Sequence, residues 1–193
     1  MLKIGITGGI GSGKTTVAKV FEQLGIPIYH ADYWAKEIMN TDPMVKQRLK
    51  ELFGDTVYDS TGKADRKKIA ELVFNDKTKL NELNSVIHPA VWLHGENWLK
   101  QHKDKPYILK EAAILFESGG NKDMDKVIMV SAPVEIRIER VMKRDNVTRE
   151  EVEARMANQW DDEKKIALSD FVIINDGKTL VIPQVLEIHR KLK

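Results

Sequence analysis

Short apolar runs alternate along this chain with longer stretches in which apolar residues recur every three or four positions. Leu2-Lys3-Ile4-Gly5-Ile6-Thr7, Tyr107-Ile108-Leu109-Lys110-Glu111, Lys126-Val127-Ile128-Met129-Val130-Ser131 and Phe171-Val172-Ile173-Ile174-Asn175 are brief and largely apolar, which predicts buried strands. Ile26-Pro27-Ile28-Tyr29-His30 predicts another, with the proline at its start. Val17, Val20, Phe21 and Leu24 share one side of a helix that Gly25 stops. Glu135 to Arg144 is helical and Asp145-Asn146-Val147 breaks it. Thr148-Arg149-Glu150-Glu151 has capping-box spacing and opens a further helix, with Val152, Met156 and Trp160 on its apolar side. Leu180, Val185, Leu186, Ile188 and Leu192 predict a closing helix with Pro183 near its first turn. Strands joined by helical crossovers predict a doubly wound α/β fold, a five-stranded parallel sheet flanked by helices.

From 33 to 102 the pattern shows no buried strand. Val45, Leu49, Leu52 and Phe53 keep helical spacing up to Gly54; Asp65 can cap a helix carrying Ile69, Leu72, Val73 and Phe74. Leu80, Leu83 and Ile87 mark another helix, and Pro89 can open the next, which carries Trp92 and Leu99. Asp59-Ser60-Thr61-Gly62 reads as a turn. An insert of about 70 residues is too long for a plain crossover, so a helical lobe holding a second substrate is expected. The expected parts are a core of 1–31, 103–134 and 161–193, a lobe of 32–102 and a lid of 135–160.

After the first strand the chain reads Gly8-Gly9-Ile10-Gly11-Ser12-Gly13-Lys14-Thr15-Thr16, the G-x-x-x-x-G-K-[ST] spacing of a phosphate-binding loop. Glycines let the backbone curl and turn its N–H groups inward as an anion nest. The following helix N-terminus adds free N–H groups and partial positive charge. Lys14 supplies a mobile charge for phosphates and Thr15 a hydroxyl for Mg²⁺. The loop between strand and helix points to a nucleoside triphosphate.

Most of the other candidates carry two readings. Asp32 follows a strand end, where open α/β sheets bind ligands; it can also cap the helix of Tyr33 to Met39. Glu111 ends a strand and can assist the Mg²⁺ shell. Arg137, Arg140 and Arg144 share a helix face, either a lid that neutralises charge over the triphosphate or a solvated stripe paired with Glu135 and Glu139. Asp65-Arg66 reads as a cap with a solvated arginine or as acceptor binding, and His88-Pro89 as a structural corner or acceptor binding.

Composition mainly excludes. The 193 residues are 42% hydrophobic, and 31 basic against 29 acidic residues leave a net charge of +2. That balance gives no bulk electrostatic case for nucleic acid or membrane. The absence of cysteine excludes disulfides and thiolate chemistry and fits a reducing compartment. Glycines interrupt the first apolar run, so neither a signal peptide nor a membrane span is expected there.

Residues spread over most of the chain resemble the dephospho-coenzyme A kinase family. Thr7 to Thr16 resembles its opening and Ala31-Asp32 its Asp-Ala-Asp segment. Phe53-Gly54, Gly62, Asp65-Arg66, Val73-Phe74 and His88-Pro89 follow in its order and spacing. Ile114-Leu115-Phe116-Glu117 resembles its Pro-Leu-Leu-Phe-Glu, and Arg140 and Arg144 sit where it has R-x-x-x-R. Gln159, Lys164 or Lys165, Asp170 and Asn175 match its C-terminal part. The departures are His30 and Glu111, each where Asp is usual, Ala113 in place of Pro, and Arg137 where Gln is common.

The resemblance implies transfer of the ATP γ-phosphoryl group to the ribose 3′-hydroxyl of dephospho-CoA, with Mg²⁺, in the cytoplasm. It implies no nucleic acid, membrane or obligate protein partner. It implies Asp32, Lys14 and Arg140 as catalytic residues. Gly9, Gly11, Ser12, Gly13, Lys14, Thr15 and Thr16, with Arg144, are implied to bind ATP. Asp32, Arg66 and His88 are implied to bind the acceptor, and Thr15 the metal, with Asp32 and Glu111 contributing through water.

Overall fold

The computed structural model describes every residue except Asn75, and of Phe74 the backbone alone, so the apolar role expected of the Phe74 side chain lies outside the described residues. β1 (Leu2–Thr7), β2 (Ile28–His30), β3 (Tyr107–Glu111), β4 (Lys126–Ser131) and β5 (Phe171–Ile174) form a five-stranded sheet in the order β2-β3-β1-β4-β5. All neighbours are parallel. β1 lies in the middle, and Ile4, Gly5, Ile6 and Thr7 are all buried, as a strand covered on both faces requires. β2 is shorter than its apolar pattern. Pro27 has no N–H to give to a ladder, and only its carbonyl takes part, accepting from Leu109 N.

α1 (Lys14–Gln23) and α9 (Val181–Leu192) pack Val17, Ala18 and Phe21 with Val185, Ile188 and Leu192 in the main core. Leu180, expected on the apolar side of the closing helix, stands just ahead of it and is 74% exposed. α6 (Val134–Asp145), α7 (Arg149–Met156) and α8 (Asp162–Ala167) follow β4. Asn146 turns the chain between α6 and α7 in a left-handed conformation, and the capping box of Thr148 and Glu151 opens α7. Ile138, Val141 and Val152 form a small core there, with Ile10, Val147 and Met156 against it. Trp160, expected on α7, lies beyond that helix, and the Lys164 ammonium sits 3.5 Å from its ring centre.

The described residues divide into two compact units, 1–30 with 102–193, and 31–101. The second contains α2 (Ala31–Thr41), α3 (Pro43–Phe53), α4 (Arg66–Phe74) and α5 (Lys77–Lys100) around Ile38, Val45, Leu49, Val57, Ile69 and Ile87. Asp65 caps α4 through Lys68 N, and Asp59 Oδ1 closes the expected turn by accepting from the N–H groups of Thr61 and Lys63. The two helices expected around Leu80–Ile87 and after Pro89 are one. Proline inside a helix costs about 3 kcal/mol, but Val86 and Ile87 before it and Ala90 and Val91 after it pack into the same core, so α5 continues through Pro89. Among the described residues no helix is long and apolar enough to cross a membrane.

One buried polar pair joins sheet and helix in the first unit: Tyr107 Oη and His189 Nδ1 lie 2.5 Å apart. Burial holds the His189 imidazole below the ordinary histidine range. The unfolded chain therefore binds that proton more readily. The stability from this group is complete above about pH 6.5 and declines as the pH falls below it. The urea midpoint is expected to drop between about pH 7 and pH 5.5, with a smaller drop in His189→Leu. Tyr107→Phe leaves the ring nitrogen buried without this partner and is expected to cost about 1–3 kcal/mol at neutral pH.

Candidate active site

The strand register decides which side chains meet at the mouth of the loop. Ile6 of β1 and His30 of β2 both pair with Glu111 at the end of β3. Thr15 and Lys14 open α1, directly after the loop that leaves β1. Thr15 Oγ1 donates to Glu111 Oε1 at 2.5 Å, and Lys14 Nζ stands 3.7 Å from the same oxygen. His30 Nδ1 bonds the other carboxylate oxygen. Burial pushes the Glu111 carboxyl up, but the bonds from His30 and Thr15 and the Lys14 charge outweigh it and hold Glu111 below the usual carboxylate range. The same hydrogen bond raises His30. His30 was not singled out as a site residue. Its signal is position: His30 and Glu111 end neighbouring strands.

The far side of the loop is held from the other end of the sheet. Asn175, one residue past β5, donates from Nδ2 to Ser12 O at 2.7 Å. Gly13 has φ 86° and caps α1; a Cβ there would run into the Asn175 amide. Arg140 Nη1 stands 3.5 Å from Gly11 O.

The arginine face of α6 therefore separates. Arg140 lies at the loop. Arg144 is held by Asp145 at 2.7 Å with most of its side chain exposed, and Arg155 shares that carboxylate. Arg137 is buried and pairs with Asp162. The alternative of a solvated stripe on Glu135 and Glu139 does not describe these contacts: Glu135 is held by Arg149.

Asp32, Arg66 and His88 belong to the helical unit. Asp32 is exposed in the first turn of α2. It is not the cap of that helix, because β2 ends at His30 and α2 begins at once with Ala31. Arg66 is the exposed first residue of α4, with Asp65 as the capping group. His88 is exposed in the middle of α5 and not at a corner.

A hard divalent cation fits the chemistry of this site. Its protein donors are a hydroxyl and a carboxylate, Thr15 and Glu111, side by side at the loop. Among the described residues no cluster of three or more His, Cys, Asp or Glu forms a cage of its own. Mg²⁺ characteristically takes one or two protein oxygens and fills the rest with water and phosphate oxygens.

The family model described as Dephospho-CoA kinase matches residues 2–180. The chain belongs to the dephospho-CoA kinase family. It is 41% identical over 187 residues to a dephospho-CoA kinase of Bacteroides fragilis, covering 97% of this chain and 91% of that one. A crystal structure of a Thermus thermophilus protein matches with a TM-score of 0.89 at 34% identity, covering 100% and 98% of the two chains. A dephospho-CoA kinase from Campylobacter jejuni matches with a TM-score of 0.71 at 25% identity, covering 98% and 96%. The chain is therefore a kinase by family, on the fold of phosphate-loop kinases.

In such a kinase the shape of the loop is directly testable at Gly13. A left-handed conformation costs a residue with a Cβ about 1–2 kcal/mol, and the Asn175 amide fills the space. Gly13→Ala is expected to weaken nucleoside triphosphate binding by about tenfold or more in calorimetric titration, with the far-UV circular dichroism unchanged.

Proposed function

We propose that this chain transfers the γ-phosphoryl group of ATP to the ribose 3′-hydroxyl of dephospho-CoA in the cytoplasm, the last step of CoA synthesis. No nucleic acid, membrane or obligate protein partner takes part. The observation that carries this reading is the convergence of Lys14 and Thr15 on Glu111 at the phosphate loop, in a chain whose family is named for this reaction. The loop amides and Lys14 hold the β- and γ-phosphates; Thr15 would hold Mg²⁺, with Glu111 and Asp32 contributing through water, and when bound it would supply charge neutralisation at the phosphate oxygens.

The acceptor oxygen bonds to the γ-phosphorus as the bond to the β–γ bridging oxygen breaks, and ADP leaves. Asp32 takes the hydroxyl proton. In sequence it follows by two residues the His30 that bonds Glu111. Arg66 and His88 bind the acceptor from the helical lobe. Arg140, beside Gly11 O, neutralises charge that develops on the transferring group. Because such transition states are loose, position and charge outweigh proton removal.

Consumption of ATP is expected to depend on dephospho-CoA and not on AMP or pantetheine compounds, with GTP a poor donor; turnover independent of dephospho-CoA overturns the reading. Asp32→Asn is expected to retain the fold and ATP affinity but lose most turnover, and near-normal rates would remove Asp32 from the chemistry. Arg140→Ala is expected to lower kcat by on the order of 10³-fold with a much smaller change in ATP affinity; an unchanged kcat takes that role away.

A further inference from the structure

Arg137 has no role in the reaction described above, yet it is among the most enclosed charged groups in the first unit, with 5% of its side chain exposed. Its fork divides between two partners. Nε donates to Ile10 O at 3.0 Å, and Nη1 donates to Asp162 Oδ2 at 2.7 Å. A Cβ on Gly9 would strike the guanidinium, and a Cβ on Gly11 would strike the backbone of Arg137 itself. The outer turn of the phosphate loop is thus moulded onto this one residue.

The other backbone polar group of Ile10 is held as well. Ile10 N donates to Gln159 Oε1 at 2.8 Å, and the Ile10 side chain packs against Ile138, Val141 and Val152. The segment that carries Asp162 is itself anchored. Trp160 N donates to Glu117 Oε1 at 2.9 Å, and the fully buried Lys165 pairs with that oxygen at 2.7 Å. A continuous set of contacts therefore runs from the loop after β3, through Glu117 and the start of α8, to Asp162, Arg137 and Ile10.

We propose that Arg137 is a positioning residue, which fixes the outer turn of the phosphate loop through Ile10 O while Asp162 neutralises its charge, so that it supports the triphosphate through the backbone and not by touching it. A free arginine this close to the loop would be drawn to phosphate oxygens. Asp162 pairs with that charge through Nη1. A guanidinium suits the task because its rigid donors meet two acceptors at once, which the single ammonium of lysine cannot do in the same geometry. The inference rests on the reading that the loop holds ATP.

Two comparisons are matched in charge, Arg137→Lys against wild type and Asp162→Ala against Asp162→Asn, so that bulk attraction for ATP is constant within each; Asp162→Ala is also compared with wild type, where the lost negative charge by itself favours ATP. Kd for Mg·ATP is measured by calorimetry, and KM for each substrate by kinetics. Arg137→Lys is expected to weaken Mg·ATP by about tenfold. Asp162→Ala is expected to bind ATP more weakly than wild type and more weakly than Asp162→Asn, which keeps an acceptor for the fork. The Arg137→Lys and Asp162→Ala effects should not add, since both break the same strut. KM for ATP should rise in each while KM for dephospho-CoA moves by less than about twofold. Arg137→Lys within about twofold of wild type overturns the proposal, as do equal affinities of the two Asp162 variants. Tighter ATP binding by Asp162→Ala overturns it too, because it marks Arg137 as a phosphate ligand released from its partner. A variant that fails to fold leaves the other site to decide the comparison. Wild-type protein that binds no ATP overturns both this inference and the functional reading, whereas wild type that binds ATP alongside diverging variants overturns the inference alone.

Discussion

A glycine-rich backbone must be kept in one shape before it can bind anything, and the rest of the first unit is arranged to do that. Glycine loses more freedom on ordering than any other residue. A loop ordered only by its ligand would spend much of the binding energy on its own shape. Here the backbone is held beforehand: Ser12 O by Asn175, the N–H and C=O of Ile10 by Gln159 and Arg137, and the start of α1 by the bond from Thr15 to Glu111. These supports come from the end of β3, from α6, from the segment before α8 and from the end of β5. The sheet order brings them together by placing β3 and β4 on either side of β1.

Glu111 is the electrostatic centre of that arrangement. It gathers a hydroxyl, an ammonium and an imidazole around one carboxylate. A carboxylate at position 30 would meet Glu111 as a like charge, and each would make the other harder to ionise. His30 replaces that repulsion by a hydrogen bond. Glu111 therefore stays an anion beside the Thr15 hydroxyl.

Strands, crossovers and the loop were legible because each obeys a local rule. Apolar runs marked strands within a residue or two, and the loop spacing has a mechanical reason for every residue. Local rules failed where packing overrode them. Pro89 opens no helix because the apolar residues on both sides of it share one core, and Asp32 is no cap because α2 begins directly at the end of β2. The phosphate-loop spacing was legible in the sequence, and the contacts that hold the loop were not. Helical spacing put Arg137, Arg140 and Arg144 on one face, but it carries no information about Asp162 or Asp145, which separate them. Partners that far away in sequence are set by the sheet and the α6–α7 hairpin.

The distances along the chain between the loop and its supports have a consequence for biosynthesis. Ile10 is bonded by residues 127 and 149 positions later, and Ser12 by one 163 positions later. A growing polypeptide thus displays the whole phosphate-loop motif almost from the start, yet cannot finish its geometry until β5 has emerged and closed the sheet edge. The first functional segment to be synthesised is the last to be completed. A nascent or C-terminally trimmed chain that lacks Asn175 carries the motif without the bond that holds Ser12 O.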